Sequence, residues 1–238
     1  MNRVIAIDGP SGSGKSTIAN ALSQLLNFIH VDSGALYRIV TWQALLRGID
    51  CDDAEAVAAF AATLEVEMRV DAGAVRFSVA GIEPGDAIRT AAINAAVSPV
   101  SKVATVRTKV TTWLRELRRL GDLVVEGRDI GSVVFPDSPA RFYLDAAPEE
   151  RARRRHLEEQ QKGIATLDQQ AVMASLLNRD RIDSSRSVAP LRVAEGAQVI
   201  DNTNMSIAEA LDTVVGRLPP AWLEAATRAQ ARRQDATP

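Results

Sequence analysis

The chain has 238 residues, enough for one or two domains with an ample core. Its hydrophobic content of 46% and charged content of 24% are those of a globular protein, and a formal charge of −2 gives no one-signed field to draw nucleic acid or membrane. Cys51 is the lone cysteine and His30 and His156 the two histidines, so a disulfide framework and a Cys- or His-rich zinc site are excluded, and no apolar run is long enough to span a membrane. Arg3 to Asp8 reads RVIAID, a short apolar run that predicts a buried parallel strand. Met1-Asn2-Arg3 enters it at once, so no signal peptide is expected and the expected location is cytoplasmic. Lys15 to Leu26 has the apolar spacing of a helix, Phe28 to Val31 of a strand, and Ser33 to Arg47 of a helix stopped by Gly48. Asp52 or Asp53 is a candidate cap for an Ala-rich helix through Leu64. Glu65 to Val70 and Val75 to Val79 alternate around Asp71-Ala72-Gly73, which predicts an inserted antiparallel hairpin. A long helix is expected from about Pro99 to Leu120, stopped by Gly121. Leu123 to Glu126, Arg141 to Leu144 and Gln198 to Ile200 are further strands. Pro148 opens a helix, and Ser206 with Glu209 forms a capping box for the last core helix. Alternating strands and helices with one β insertion predict an α/β fold around a parallel sheet.

Gly9-Pro10-Ser11-Gly12-Ser13-Gly14-Lys15-Ser16 fits G-x-x-x-x-G-K-[ST], lying between a predicted strand and a predicted helix. Glycines let backbone N–H groups converge on a phosphate, and the helix N-terminus adds partial positive charge. Lys15 is placed to bridge β- and γ-phosphates, and Ser16, beside Thr17, to reach Mg²⁺. Such a loop binds a nucleoside triphosphate without naming the reaction.

Three polar clusters follow predicted strands or helices. Asp32-Ser33-Gly34-Ala35-Leu36-Tyr37-Arg38 opens a helix, with Ser33 as its candidate cap. Glu126-Gly127-Arg128-Asp129-Ile130-Gly131 is expected to hold an Arg-Asp pair on a tight exposed loop. Arg179 to Arg186 supplies a third charged segment.

These residues carry a resemblance. GPSGSGKST, DSGALYR, AIRT, EGRDIGSVVFPD, ERARRR and RDRIDSSRSVAPL, followed by AQVIDNT, resemble bacterial cytidylate kinases in order and spacing over nearly the whole chain. The resemblance implies a P-loop nucleoside monophosphate kinase fold: a parallel five-stranded sheet flanked by helices, spanning 1–218. It also implies an inserted β element in an NMP-binding domain at about 33–107, a helical lid at about 148–165, and a C-terminal tail at 219–238. It implies transfer of the γ-phosphoryl group of ATP to CMP, and to dCMP, with Mg²⁺; Ser16 is set by its motif to hold the ion, and Glu126, ending a strand, is either a ligand through water or a surface carboxylate. ATP would lie on Gly9 to Thr17 with Arg151 and Arg155 over its phosphates. CMP would contact Ser33, Tyr37, Arg38, Ser98, Arg107, Arg128, Asp129, Arg179, Asp183 and Arg186. Lys15, Arg128, Arg154 and Arg186 would act on the transferred group. Asp129 is chemically apt, since a carboxylate accepts from the cytosine amino group. A monomer working on small molecules, without nucleic acid or membrane, is expected.

Other small-molecule P-loop kinases (adenylate, uridylate, shikimate) remain alternatives on the residues alone, as does a non-enzymatic ATP-binding module. Cys51, His30 and His156 read as structural or exposed, having no motif beside them. Of the 28 basic residues 24 are arginine, which suits bidentate phosphate binding. Ten of them (Arg38, Arg89, Arg107, Arg128, Arg151, Arg153, Arg154, Arg155, Arg179 and Arg186) fall in the segments that the resemblance needs. Arg115, Arg118, Arg119, Arg232 and Arg233 read as solvated helix faces.

Overall fold

The computed structural model describes residues 2–161 and 168–224. Along the chain run β1 (Val4–Asp8), α1 (Lys15–Leu26), β2 (Ile29–Asp32), α2 (Ser33–Leu46), α3 (Ala54–Thr63), β3 (Glu67–Asp71) and β4 (Ala74–Ser78). Then come α4 (Ala91–Lys102), α5 (Ala104–Glu116), β5 (Leu123–Gly127), β6 (Ala140–Asp145), α6 (Pro148–Gln161), α7 (Gln169–Ser184), β7 (Gln198–Asp201) and α8 (Ile207–Val215). Among the described residues no helix is long and apolar enough to cross a membrane.

Among the described residues the sheet has seven strands in the order β3-β4-β2-β5-β1-β6-β7, where five were expected. The five expected strands are all parallel, with β1 between β5 and β6. The two extra strands are the predicted hairpin, which does not stand apart. Ala72 and Gly73 turn it with φ of 47° and 77°, and β4 then joins β2 in parallel at His30 and Ala74. The reason is the edge of β2: the His30 N–H donates to the Gly73 C=O at 2.9 Å, so a strand end that would face solvent is paired.

Every residue of β1 and β5 is buried, the pattern of strands covered on both faces. On one face α2 to α5 pack with Leu36, Ile39, Val110, Leu114 and Val125; on the other α1 and α8 pack with Ile5, Ile7, Leu22, Phe142 and Val214. Trp222 closes the second core against Phe28, ring centroids 6.2 Å apart, with the Arg3 guanidinium over both rings. The α6–α7 pair holds a smaller cluster of Ala152, Val172 and Leu176. Residues 162–165 of the expected lid and 225–238 of the expected tail lie outside the described residues.

The expected helix over 99–120 is instead two helices and a 3-10 turn. Pro99 sits inside α4, extended Val103 (φ −65°, ψ 122°) separates α4 from α5, and Leu117–Leu120 tightens to 3-10 before Gly121. The break at Val103 carries no Gly or Pro, the usual signals of an interruption. Two caps also resolve: Asp32, not Ser33, accepts the Ala35 N–H at 3.2 Å, and Asp53 caps α3. Ser206 and Glu209 form the expected capping box.

Candidate active site

All the polar segments meet at the carboxyl ends of the parallel strands, where open α/β sheets bind ligands. The loop after β1 wraps into α1 through Gly14, whose φ of 87° leaves the first N–H groups of α1 pointing into the loop. Gly9 has no alternative: a Cβ there would stand 2.0 Å from the Leu144 carbonyl oxygen. Lys15 is buried and donates to the Pro10 C=O at 2.6 Å and to Ser13 Oγ at 3.4 Å. Burial, with Arg128 nearby, holds its ammonium well below the ordinary lysine range.

Ser16 Oγ donates to Glu126 Oε2 at 2.7 Å, while His30 Nε2 lies 3.1 Å from Glu126 Oε1. Ser33 Oγ donates to the Glu126 backbone oxygen at 2.6 Å, which explains why it does not cap α2. Thr17 is exposed beside Ser16. His30 is therefore no bystander: it completes the setting of the strand-end carboxylate.

The loop is braced by the segments that follow β6 and β7. Arg151 is buried, donating to the Ser11 C=O at 3.1 Å and pairing with Asp180, whose other oxygen accepts the Ser11 N–H at 3.2 Å. Arg154 forks onto Asn202, and Asn202 Nδ2 donates to the Ser13 C=O at 2.9 Å. Arg153 and Arg154 together pull the Glu150 carboxyl down to about 2. Arg155 pairs with Glu158 and Glu159 on its own helix.

Opposite the loop lies a crevice lined by guanidinium groups. Arg128 Nε holds Asp183 Oδ2 at 3.0 Å, and Arg186 holds Asp183 Oδ1. Arg38 donates to Asn94 Oδ1 at 2.5 Å and to the Ile88 C=O at 3.3 Å. Arg89 pairs with Asp32 at 3.1 Å. Burial, then the neighbours Arg128 and Arg38, pushes Arg179 down to about 9; burial also brings Arg38 down to about 10, with Asp32 opposing and Arg89 adding to the shift. Cations that depress one another in a cleft are a place for a multivalent anion.

Beyond the arginines, Arg107 Nη2 and Asp129 Oδ2 form a buried pair at 2.5 Å. The Arg107 guanidinium sits 5.3 Å over the Tyr37 ring, and burial, helped by Asp129, raises the Tyr37 hydroxyl above its ordinary range. Ser98 is buried on α4 and Ser101 lies one turn on. The Arg-Asp pair was expected on an exposed loop; Asp129 is instead 3% exposed. Asp8 explains this. Its two carboxylate oxygens accept the N–H groups of Ile130 and Gly131 at 2.7 and 2.8 Å, folding the loop inward onto the end of β1. Burial raises the Asp8 carboxyl to about 6, against the pull of those two bonds.

The structure thus brings together Gly9 to Ser16 with Glu126, Arg151 and Arg154, and separately Arg38, Arg128, Arg179, Asp183 and Arg186 with Arg107, Asp129, Tyr37 and Ser98. Lys15 feels both Arg128 and Arg179, so the two groups adjoin. Asp8, His30, Asn94, Ser101, Asp180 and Asn202 escaped the sequence reading. Of these Asp8 alone carried a signal, as a carboxylate ending an all-apolar strand directly before Gly9.

A parallel sheet with a phosphate loop opening α1 and a basic crevice across the strand ends defines a P-loop kinase. The family model for cytidylate kinase matches residues 5–219. Cytidylate kinase of Geobacter sulfurreducens is 44% identical over 210 residues, 88% of this chain and 89% of that protein. The cytidylate kinase of Mycolicibacterium paratuberculosis is 42% identical over 210 residues, covering 88% of this chain and 92% of its own length. An uncharacterized protein from Eubacterium ventriosum shares the fold at a TM-score of 0.51 with 11% identity, over 90% of this chain and 96% of that one. The chain belongs to the cytidylate kinase family.

Proposed function

We propose that this chain transfers the γ-phosphoryl group of ATP to CMP, giving CDP and ADP, and accepts dCMP as well. The observation that carries this reading is the buried Arg107–Asp129 pair on Tyr37, set beside the arginine crevice that faces the phosphate loop. Asp129 Oδ2 is held by Arg107, and Oδ1 takes the cytosine amino N–H; the uracil carbonyl at that place would meet a carboxylate, not a donor. Ser98 and Arg107 complete the base contacts, with Tyr37 as the pocket wall. Arg38, Arg128 and Arg186 bind the CMP phosphate with Ser33 nearby, and Arg179 and Asp183 face the sugar.

The nucleophile is an oxygen of the CMP phosphate. A phosphate monoester has its second pKa near ~6, so it is largely dianionic at neutral pH and needs no catalytic base. The obstacle is repulsion between two anions. Lys15, Arg128, Arg154 and Arg186 offset it and stabilise charge on the transferred group. Phosphate oxygens beside Lys15 supply the countercharge that its buried ammonium wants. Gly9 to Thr17 cradle the ATP phosphates, and Arg151 and Arg155 belong to that side. The lid expected at about 148–165, whose described part is α6, would close over the reaction and exclude water.

Ser16 Oγ and Glu126 fit a Mg²⁺ ion: both are hard oxygen donors, one a carboxylate, at the mouth of the loop. Ser16 would hold the ion directly and Glu126 through water; bound there, it would neutralise charge on the β- and γ-phosphates. The partners on this proposal are small molecules, and the enzyme works as a cytoplasmic monomer in pyrimidine nucleotide metabolism. An ADP-release assay over CMP, dCMP, UMP, AMP and shikimate tests it. Release with CMP and dCMP is expected; release with AMP or shikimate alone contradicts it.

A further inference from the structure

Resting on that reading, we propose that Ser101 is a positioning residue that locks the base-reading arginine and the phosphate-binding arginine in register. Ser101 is buried near the end of α4, where its side chain and backbone serve different partners. Its Oγ accepts from Arg186 Nη2 at 2.8 Å, and its C=O accepts from Arg107 Nη1 at 3.1 Å. Its own hydroxyl proton goes to the Ser98 C=O at 3.0 Å, which fixes the lone pairs toward Arg186. The result is one continuous polar chain across the acceptor site: Asp129, Arg107, Ser101, Arg186, Asp183, Arg128.

The chain matters because its two ends do different work. Arg107 and Asp129 stand at the base, Arg186 and Arg128 at the phosphate. Arg186 follows α7, whereas Ser101 belongs to α4, so the bond also ties the insert to the segment after α7. Arg107 Nε and Arg186 Nε are both buried with no partner among the described residues. Arg107 thus spends Nη1 and Nη2, and Arg186 its Nη2, on holding position. A hydroxyl at position 101 makes the placement of one arginine depend on the other. Base recognition then improves phosphate capture, and a monophosphate with the wrong base loses both.

Ser101→Ala and Ser101→Thr test this. Alanine suits a helix and removes only the hydroxyl, so Arg186 keeps Asp183. We expect Ser101→Ala to raise KM for CMP about 10-fold as Arg186 loses its register, with KM for ATP within about twofold and a melting temperature lowered by a few degrees for the lost bond to a charged group. The preference for CMP over UMP should shrink by a similar factor, and threonine should restore both. A merely structural serine would lower the melting temperature and leave both KM for CMP and the CMP-to-UMP ratio alone. A folded Ser101→Ala enzyme with wild-type KM and preference overturns the Ser101 assignment while leaving the function standing. Alanine and threonine variants that behave alike overturn it too. Wild-type protein that releases no ADP with CMP overturns the function, and the Ser101 role with it.

Discussion

Asp129 shows how burial fixes a charge that the proposed function uses as a reader. On a solvated loop it would be screened; at 4% side-chain exposure, against a 3% exposed Arg107, its charge and geometry are fixed. Asp129→Ala is therefore expected to do two things. It should raise KM for CMP 10- to 100-fold, at about 1–3 kcal/mol for a lost base contact, with KM for ATP within about twofold. It should also destabilise the fold by about 3–5 kcal/mol, because Arg107 is left as an unpaired buried cation. Steady-state kinetics and denaturant melts read the two effects separately, and equal losses for both substrates would remove the base-reading role. The identity of Asp129 was legible in the sequence as the Arg-Asp step of EGRDIG; its burial was not. Nothing local in Gly127 to Gly131 shows that Asp8, some 120 residues earlier, takes two of its N–H groups. His30 was hidden for the same reason: its partner Glu126 is on a neighbouring strand, brought close by pairing of β2 with β5.

At the scale of elements, the clamp from β1 to the loop after β5 joins the phosphate loop to the arginine crevice. Asp8 ends β1, Gly9 begins the phosphate loop, and Asp8 also holds Ile130 and Gly131 just after Arg128. Its carboxyl is raised from 3.8 to about 6 in the fold, so between those values the folded chain holds a proton that the unfolded chain has lost. Stability contributed by this group therefore falls as pH rises from about 4 to about 6 and stays lower above, by on the order of 3 kcal/mol. The difference in unfolding free energy between wild type and Asp8→Asn, measured across pH 4 to 7, should decline in that window. A rise instead would mean that the two N–H bonds outweigh burial. The elements were mostly legible where periodicity is strong. Lys15–Leu26 has the expected bounds, because Gly14 and Asn27 both adopt left-handed φ at its ends. The α4–α5 break was not legible, since Val103 is set by packing of α4 and α5 against α2 and not by a turn residue.

For the whole molecule, the sheet decides which segments meet. The order β2-β5-β1-β6 places Asp32, the Glu126–Gly131 segment, the phosphate loop and Asp145 side by side at one edge. Three separate motifs, each with an ordinary structural use of its own, thereby become one crevice. Motif content and order were readable from the sequence; strand order was not, because parallel neighbours are distant in the chain and leave no local mark. The count of seven strands shows the same limit, since nothing in the hairpin sequence says that β4 will dock on β2. The arginine excess also divides at this scale. Arg38, Arg107, Arg128, Arg179 and Arg186 converge on the crevice, while Arg69, Arg76 and Arg119 remain exposed on surface ion pairs.

The most direct measurement is the ratio of kcat/KM for CMP to that for UMP in the wild-type enzyme with ATP and Mg²⁺. A carboxylate that reads the cytosine amino group should favour CMP by about 10- to 100-fold or more. UMP used as efficiently as CMP would contradict a site built on Arg107 and Asp129.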